Sequence, residues 1–537
     1  MKEYSCKVLN KSEASLRAII EGAIKNYWDC SVYSDHGTDI HYTYGDLAKE
    51  VARLHDFYRA NGIMPGDKVA LCSKNCSNWA VVMISFLSYG AVAVPILSDF
   101  HANQILNIVE HSESKLLFCS QTWYDQLKDD IKVPIISLNA LPTDKSTHYD
   151  LKAEDVHYER ENSEDLCLLN YTSGSTGNSK GVMLPYRVLW SNVIFADERF
   201  QQEPGEKLVS LLPAAHMYGY AFEFLYEFCI GIHVYFLSKA PSPTYLMQVF
   251  GEVKPNFIIS VPLIIEKIAQ GVMVRLKDPE IQAKMAVPGA KEVILAQIRE
   301  KFIALLGGNI NTVIIGGASF SKEVEDFLLA IKFPVTVGYG MTECGPIISY
   351  QDWRLFSPGS CGIPAPRMEV KIDSPDPANI PGEIICRGTN VMLGYYKNPE
   401  ATAEAIDKDG WLHTGDLATM DAAENIYIRG RKKNLLLGAN GQNIYPEEIE
   451  SAININTIFE ETVVVQRGEK LVALVYVSDD TLAKAGITRE ALDGQLDDIR
   501  NAVNEHLPKF ANITGFEVQE HEFEKTPKRN IKRYLYL

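Results

Sequence analysis

Residues 171–184 read YTSGSTGNSKGVML, with three glycines, six hydroxyl side chains and one lysine in fourteen positions. Glycines let the backbone take positive φ and turn its N–H groups inward, toward an anion. Hydroxyls add donors, and Lys180 supplies a mobile positive charge. The chemistry this set suits is the cradling of phosphate. The usual P-loop ends in Gly-Lys-Ser/Thr and runs into a helix. Here Ser179 precedes Lys180 and Gly181 follows it, between uncharged, apolar-leaning flanks at 166–171 and 182–184. The flanks read as strand, loop, strand, so turn amides rather than a helix N-terminus would meet the anion.

Four further strings follow in order: IIGGASF at 314–320, GYGMTE at 338–343, GWLHTGDL at 410–417 and GRKKNLLLGANGQNIYPEEIE at 430–450. Each is weak alone; their order and spacing after the glycine-rich loop are specific. Together they resemble the adenylate-forming superfamily of acyl-CoA synthetases, luciferases and peptide-synthetase adenylation domains, over nearly the whole chain. The strings CSKNCSNWAVVMISFLSYGAVAVPIL and AHMYGY, with the short tail, look most like bacterial AMP-forming long-chain fatty acid–CoA ligases. The resemblance implies ATP, Mg²⁺ and coenzyme A as cofactors. It implies activation of a carboxylic acid as an acyl-adenylate and its transfer to a thiol. A rival that passes the acyl group to a carrier protein stays open, as does an impaired acyl- or nucleotide-binding relative.

By that resemblance, Thr172, Ser173, Gly174, Ser175, Thr176, Gly177 and Lys180 would hold the β- and γ-phosphates. Glu343 would be the Mg²⁺ ligand, with Thr176 beside it, and Thr342 would meet the α-phosphate. Gly317, Ala318, Tyr339 and Gly340 would frame the adenine. Asp416 would accept from the ribose hydroxyls, with Arg431 adding a second contact. His216, in PAAHMYGY, would border the acid's carboxylate. Lys433 would be the hinge, with Gly438 and Gly441 in the loop that admits coenzyme A. One position departs from the pattern: aligning the tail TPKRNIKRYLY places Asn530 where the family carries a lysine for adenylation. Asparagine can donate a hydrogen bond but cannot neutralise charge. Adenylation is then expected to be slow unless Lys528, Arg529 or Lys532 substitutes.

These residues need a frame. Tyr44-Gly45-Asp46 opens a helix with Leu47, Val51, Leu54 and Phe57 on one face. Strands are expected at 68–72, 312–315 and 334–338, and a helix at 321–331. Alternating β and α units predict an α/β fold, a large multi-layer N-terminal domain with mostly parallel sheets. From residue 435 the texture changes: a helix opened by Pro446, paired strands at 462–465 and 471–477, then a helix through Leu492, Leu496, Ile499, Val503 and Leu507, ended by Pro508. This reads as a small, mobile α+β C-terminal domain, with domains at 1–432 and 433–537.

A length of 537 residues exceeds one core, and a hydrophobic fraction of 46% is ordinary for a globular chain. A net charge of −17 argues against a nucleic-acid surface. The ten cysteines are spread singly, apart from Cys72 and Cys76, without metal-ligand spacing, which suits reduced thiols in the cytoplasm. The uncharged run 75–98 reads as a buried helix, a turn at Gly90 and a short strand rather than a membrane span, because Ser85, Ser88, Gly90 and Pro95 interrupt it. Peripheral membrane contact stays open, as does acyl chain length.

Overall fold

The computed structural model describes the chain except residues 1–14, 173–178, 240, 277, 438–441, 455–457, 469, 506 and 527–530. Two seven-stranded sheets form the frame. The first runs Gly394–Tyr395, Lys180–Pro185, Leu166–Thr172, Val92–Ile96, Lys68–Cys72, Leu117–Cys119, Ile135–Ser137. Its last five strands are parallel, and Lys180–Pro185 and Gly394–Tyr395 add antiparallel at one side. The second runs Val335–Val337, Thr312–Ile315, Phe257–Ser260, Lys207–Ser210, His233–Leu237, Ser31–His36, His41–Thr43, parallel except for the last pair.

Strand periodicity explains how the layers stack. Successive side chains point to opposite faces, so a strand buried on both sides feeds two cores. In Lys68–Cys72, Val69 and Leu71 enter the central core, and Ala70 and Cys72 enter an outer one. In the other sheet, Ile314 faces the centre while Val313 and Ile315 face outward. Helices Leu16–Asn26, Tyr44–Ala60, Ser77–Tyr89 and Tyr186–Arg199 fill the centre between the sheets. Ala102–Ser112 covers one outer face, and Pro243–Val253, Ala290–Leu305 and Lys322–Ala330 cover the other. The layers therefore alternate helix, sheet, helix, sheet, helix.

Local signals set the element ends. Thr43 and Asp46 form a reciprocal capping box at the start of Tyr44–Ala60, with N–H···O distances of 3.1 and 3.2 Å. The uncharged run 75–98 folds as helix Ser77–Tyr89, a left-handed Gly90 at φ 92° and the fully buried strand Val92–Ile96. Among the described residues no helix is long and apolar enough to cross a membrane. An antiparallel sheet of Met368–Asp373, Gly382–Gly388, Leu412–Met420 and Ile426–Arg431 follows. Beyond it, helices Pro446–Asn454 and Arg489–Glu505 pack on strands Glu461–Arg467, Lys470–Tyr476 and Ile513–Gln519. Ile449, Ile453, Val464, Val475, Leu492 and Val503 build a core there that, among the described residues, draws on none before 436.

Candidate active site

The antiparallel pair Leu166–Thr172 and Lys180–Pro185 sets Thr172 opposite Lys180, so the two ends of the glycine-rich loop meet. Ser173, Gly174, Ser175, Thr176 and Gly177 lie outside the described residues, as does Gly441. The Lys180 ammonium sits 4.8 Å from the centre of the Tyr395 ring, a cation–π contact. Tyr395 reaches it because Gly394–Tyr395 pairs with Val182 and Met183. The same tyrosine donates its hydroxyl to Glu343 Oε1 at 2.8 Å. One ring therefore joins the lysine of the glycine-rich loop to the glutamate of GYGMTE.

Glu343 and the buried Thr342 lie on a tight turn, Thr342–Cys344, after strand Tyr339–Gly340. The chain doubles back so closely that a Cβ on Gly340 would sit 2.1 Å from the Pro346 carbonyl oxygen. Only glycine fits there. Gly317, left-handed at φ 84°, and the exposed Ala318 follow strand Thr312–Ile315. That strand is parallel to Val335–Val337, whose end leads into Tyr339. The crevice beyond the carboxyl ends of parallel strands is where such sheets place ligands.

Asp416 and Arg431 are register partners on adjacent antiparallel strands. Arg431 Nε lies 2.9 Å from Asp416 Oδ1, and the Tyr339 hydroxyl donates to Asp416 Oδ2 at 2.6 Å. Asp416 is 5% exposed. Burial raises its pKa from the ordinary carboxylate value, and the Arg431 guanidinium opposes that rise. Burial, then the facing carboxylate of Asp416, pushes the Tyr339 phenol well up. Each carboxylate oxygen can accept about two bonds, so both Asp416 oxygens retain capacity for a ligand's hydroxyls. Desolvation, then the positive charge of Arg431, lowers the Lys433 ammonium, with Lys180 adding to the effect. The loop lysine, the strand arginine and Lys433 thus share one electrostatic neighbourhood. A cavity of about 340 Å³ opens there, lined by Thr414, Gly415, Arg431, Lys432 and Lys433. A larger one, about 520 Å³, lies beside Leu106, Glu110 and Lys115 and holds none of the motif residues.

His216 is half-buried, and its Nδ1 accepts the Tyr218 N–H at 3.4 Å. Tyr218 in turn donates to the Ile314 carbonyl at 3.2 Å, and a Cβ on Gly316 would meet its ring at 3.2 Å. The PAAHMYGY segment therefore lies against the Gly316-Gly317 turn. Asn530, Lys528 and Arg529 lie outside the described residues. Lys532 is committed to Glu524, 3.2 Å away.

The sequence profile of the AMP-binding enzyme family matches residues 21–396, and that of the AMP-binding enzyme C-terminal domain matches residues 433–537. The chain belongs to the AMP-binding enzyme family. This AMP-binding enzyme is 28% identical over 506 residues to long chain acyl-CoA synthetase 1 of Arabidopsis thaliana, covering 82% of this chain and 74% of that protein. It is 27% identical to a long-chain-fatty-acid–CoA ligase of Bacillus subtilis, covering 86% and 85%. It is 24% identical to the chloroplastic long-chain-fatty-acid–[acyl-carrier-protein] ligase AEE15 of Arabidopsis thaliana, covering 94% and 82%. Among solved structures, ATP-bound MatB from Rhodopseudomonas palustris superposes with a TM-score of 0.77 at 19% identity, covering 97% of this chain and 98% of that one. O-succinylbenzoate coenzyme A synthetase from Bacillus subtilis, in complex with ATP and magnesium ion, also gives 0.77 at 19%, covering 96% and 98%. These likenesses establish the fold, a mixed α/β frame followed by a smaller C-terminal part.

Two side chains central to this geometry carry no motif signal. Tyr395, in VMLGYYKNPE, looks like any aromatic next to a turn. Glu383, in PGEIICRG, looks like a strand-edge acid, yet it accepts from the Gly415 N–H at 3.0 Å and from Lys432 Nζ at 2.9 Å. His413 Nδ1 lies 3.2 Å from the same carboxylate. Burial alone would raise Glu383, but Lys432, His413 and the Gly415 amide hold it below its ordinary value. It ties the loop before Asp416 to the residue before Lys433.

Proposed function

We propose that this enzyme activates a long-chain fatty acid with ATP as an acyl-adenylate and transfers the acyl group to coenzyme A, releasing pyrophosphate and AMP. The carboxylate oxygen bonds to the α-phosphorus and pyrophosphate leaves. The thiol then bonds to the acyl carbon and AMP leaves. The first step drives one anion against another, so catalysis is charge neutralisation and in-line positioning. The observation that carries the reading is the pairing of two constellations, Lys180–Tyr395–Glu343 and Tyr339–Asp416–Arg431, in a chain of the AMP-binding family.

In this reading Lys180 and the glycine-rich loop take the β- and γ-phosphates, and Thr342 meets the α-phosphate. Asp416 accepts the ribose hydroxyls while Arg431 holds it ionised, and Gly317, Ala318 and Tyr339 flank the adenine. His216 meets the acid's carboxylate. Among the described residues no group of three or more His, Cys, Asp or Glu side chains gathers into a metal cage. One hard carboxylate oxygen plus phosphate oxygens is what Mg²⁺ accepts, and Glu343 fits as its ligand. Bound there, the ion would supply further neutralisation of phosphate charge. Lys433 is the hinge between domains 1–432 and 433–537, turning the second to admit the thiol.

Relatives named for long-chain acids support the acyl class. The AEE15 likeness, spanning 94% of this chain, favours a second reading in which a carrier protein takes the acyl group. Incubation with ATP, Mg²⁺ and a panel of fatty and aryl acids, with either coenzyme A or a phosphopantetheinyl carrier protein, separates them. AMP release requiring coenzyme A and a long-chain acid is the expected result. Release only with the carrier protein selects the second reading, and release with neither thiol nor acid sinks both.

A further inference from the structure

Strand Lys207–Ser210 ends in a turn, residues 211–216, that delivers His216 to the crevice. Three side chains from elsewhere hold this turn. Asn75 accepts from the Ala214 N–H at 2.7 Å and donates to the Leu212 carbonyl at 2.6 Å and to Ser210 Oγ at 2.9 Å. Asn170, on the strand leading into the glycine-rich loop, donates to the Ala215 carbonyl at 2.9 Å. Glu223 accepts the Leu211 N–H on both oxygens, at 3.0 and 3.1 Å, and the Leu212 N–H at 2.9 Å. It also lies 3.0 Å from Ser210 Oγ, whose own oxygen already accepts from Asn75, so the hydroxyl proton turns to Glu223.

Glu223 is an expensive residue to keep. It is 1% exposed, and among the described residues every group hydrogen-bonded to it is a donor and none is a cation. Burying a carboxyl this way costs free energy that a leucine or methionine would not. Its neighbours Phe222 and Phe224 are buried apolar side chains, and it stands on a π-helical segment, Tyr220–Leu225, a geometry that recurs at functional sites.

We infer that Glu223, together with Asn75 and Asn170, is a positioning residue that fixes the 211–216 turn so that His216 meets the acid substrate. The inference rests on the reading of His216 given above. Through Asn170 the same turn is tied to the strand that ends at the phosphate-binding loop, so acid and nucleotide are presented from one rigid corner. A carboxylate that merely filled the loop's hydrogen bonds would affect stability and every substrate alike. A positioning carboxylate acts on the acid side and through His216.

The test uses the full chain with whichever acid supports AMP release. Glu223→Met keeps length but removes all acceptors, and Glu223→Gln keeps one. The Met variant should raise KM for the acid about tenfold with KM for ATP within about twofold, and Gln should fall between. In a His216→Ala background the Met change should add less than about twofold, because both act through one contact. Amide hydrogen exchange at Leu211, Leu212 and Ala214 should quicken about tenfold in the Met variant. Equal effects on acid and ATP, full multiplication on His216→Ala, or unchanged exchange in both variants would overturn the inference. If no acid supports AMP release, the proposed function fails instead, and the exchange measurement alone decides whether the clamp exists.

Discussion

The proposed nucleoside end and the proposed phosphate end of the site are built on opposite plans. At the nucleoside end, Asp416 meets Arg431 and Tyr339 directly, and the first two are register neighbours on paired strands. The backbone ladder fixes them. At the proposed phosphate end, Lys180 and Glu343 come from separate segments and each meets Tyr395, carried on a two-residue strand at a sheet edge. A side chain does there what the ladder does at the other end. The difference teaches that the groups proposed to touch substrate sit in recognisable strings, while the group that orients them can come from anywhere the sheet edge allows.

That contrast can be broken from either side. Lys180→Ala removes the cation of the phosphate end, and adenylation, read as acid-dependent pyrophosphate exchange, should fall about 10³-fold. Asp416→Ala strips Tyr339 and Arg431 of their common partner, and kcat/KM for ATP should drop about 10²-fold, mostly through KM. Tyr395→Phe keeps the ring under Lys180 but removes the hydroxyl from Glu343. It should cost about tenfold in kcat with little change in KM for ATP. A larger loss from Tyr395→Phe than from Asp416→Ala would mean that the tyrosine touches substrate itself.

The smallest effect concerns protons. Glu383, held below its ordinary value by its partners, contrasts with Glu325 and Glu450, which burial pushes up to about 7. A carboxyl whose native pKa is raised above its unfolded value of 4.5 stabilises fully below that value, and the contribution is lost as pH rises through about 7. The melting temperature should fall by a few degrees between about pH 5 and pH 8, and Glu325→Gln should flatten that slope.

Much of this was legible in residue order. The apolar period through Leu47, Val51, Leu54 and Phe57, the Gly90 break and the Pro446 and Pro508 signals each predicted elements the structure contains. The strings at 314–320, 338–343 and 410–417 lie against one another: a Cβ on Gly316 would stand 3.3 Å from the Gly338 carbonyl oxygen, and Tyr339 donates to Asp416. What could not be read is whatever depends on contacts distant in sequence. Tyr395 is 52 positions from Glu343, and Glu383 is 32 from Gly415. Cys344 and Cys386, unrelated by spacing, lie 3.8 Å apart sulfur to sulfur. Two faint signals were present: Asn170 interrupts the apolar strand LCLLNYT, and Glu223 interrupts the aromatic run GYAFEFLY. A polar side chain in a run that is otherwise all core marks a bond worth its desolvation.

The central claim is that one crevice joins a carboxylic acid to the α-phosphorus of ATP before any thiol takes part. Exchange of labelled pyrophosphate into ATP, run on the native chain with Mg²⁺ and no coenzyme A, measures that step alone. The account predicts exchange that appears only when a long-chain acid is added. Exchange independent of any acid, or none with any acid while thioester still forms on adding coenzyme A, would contradict it.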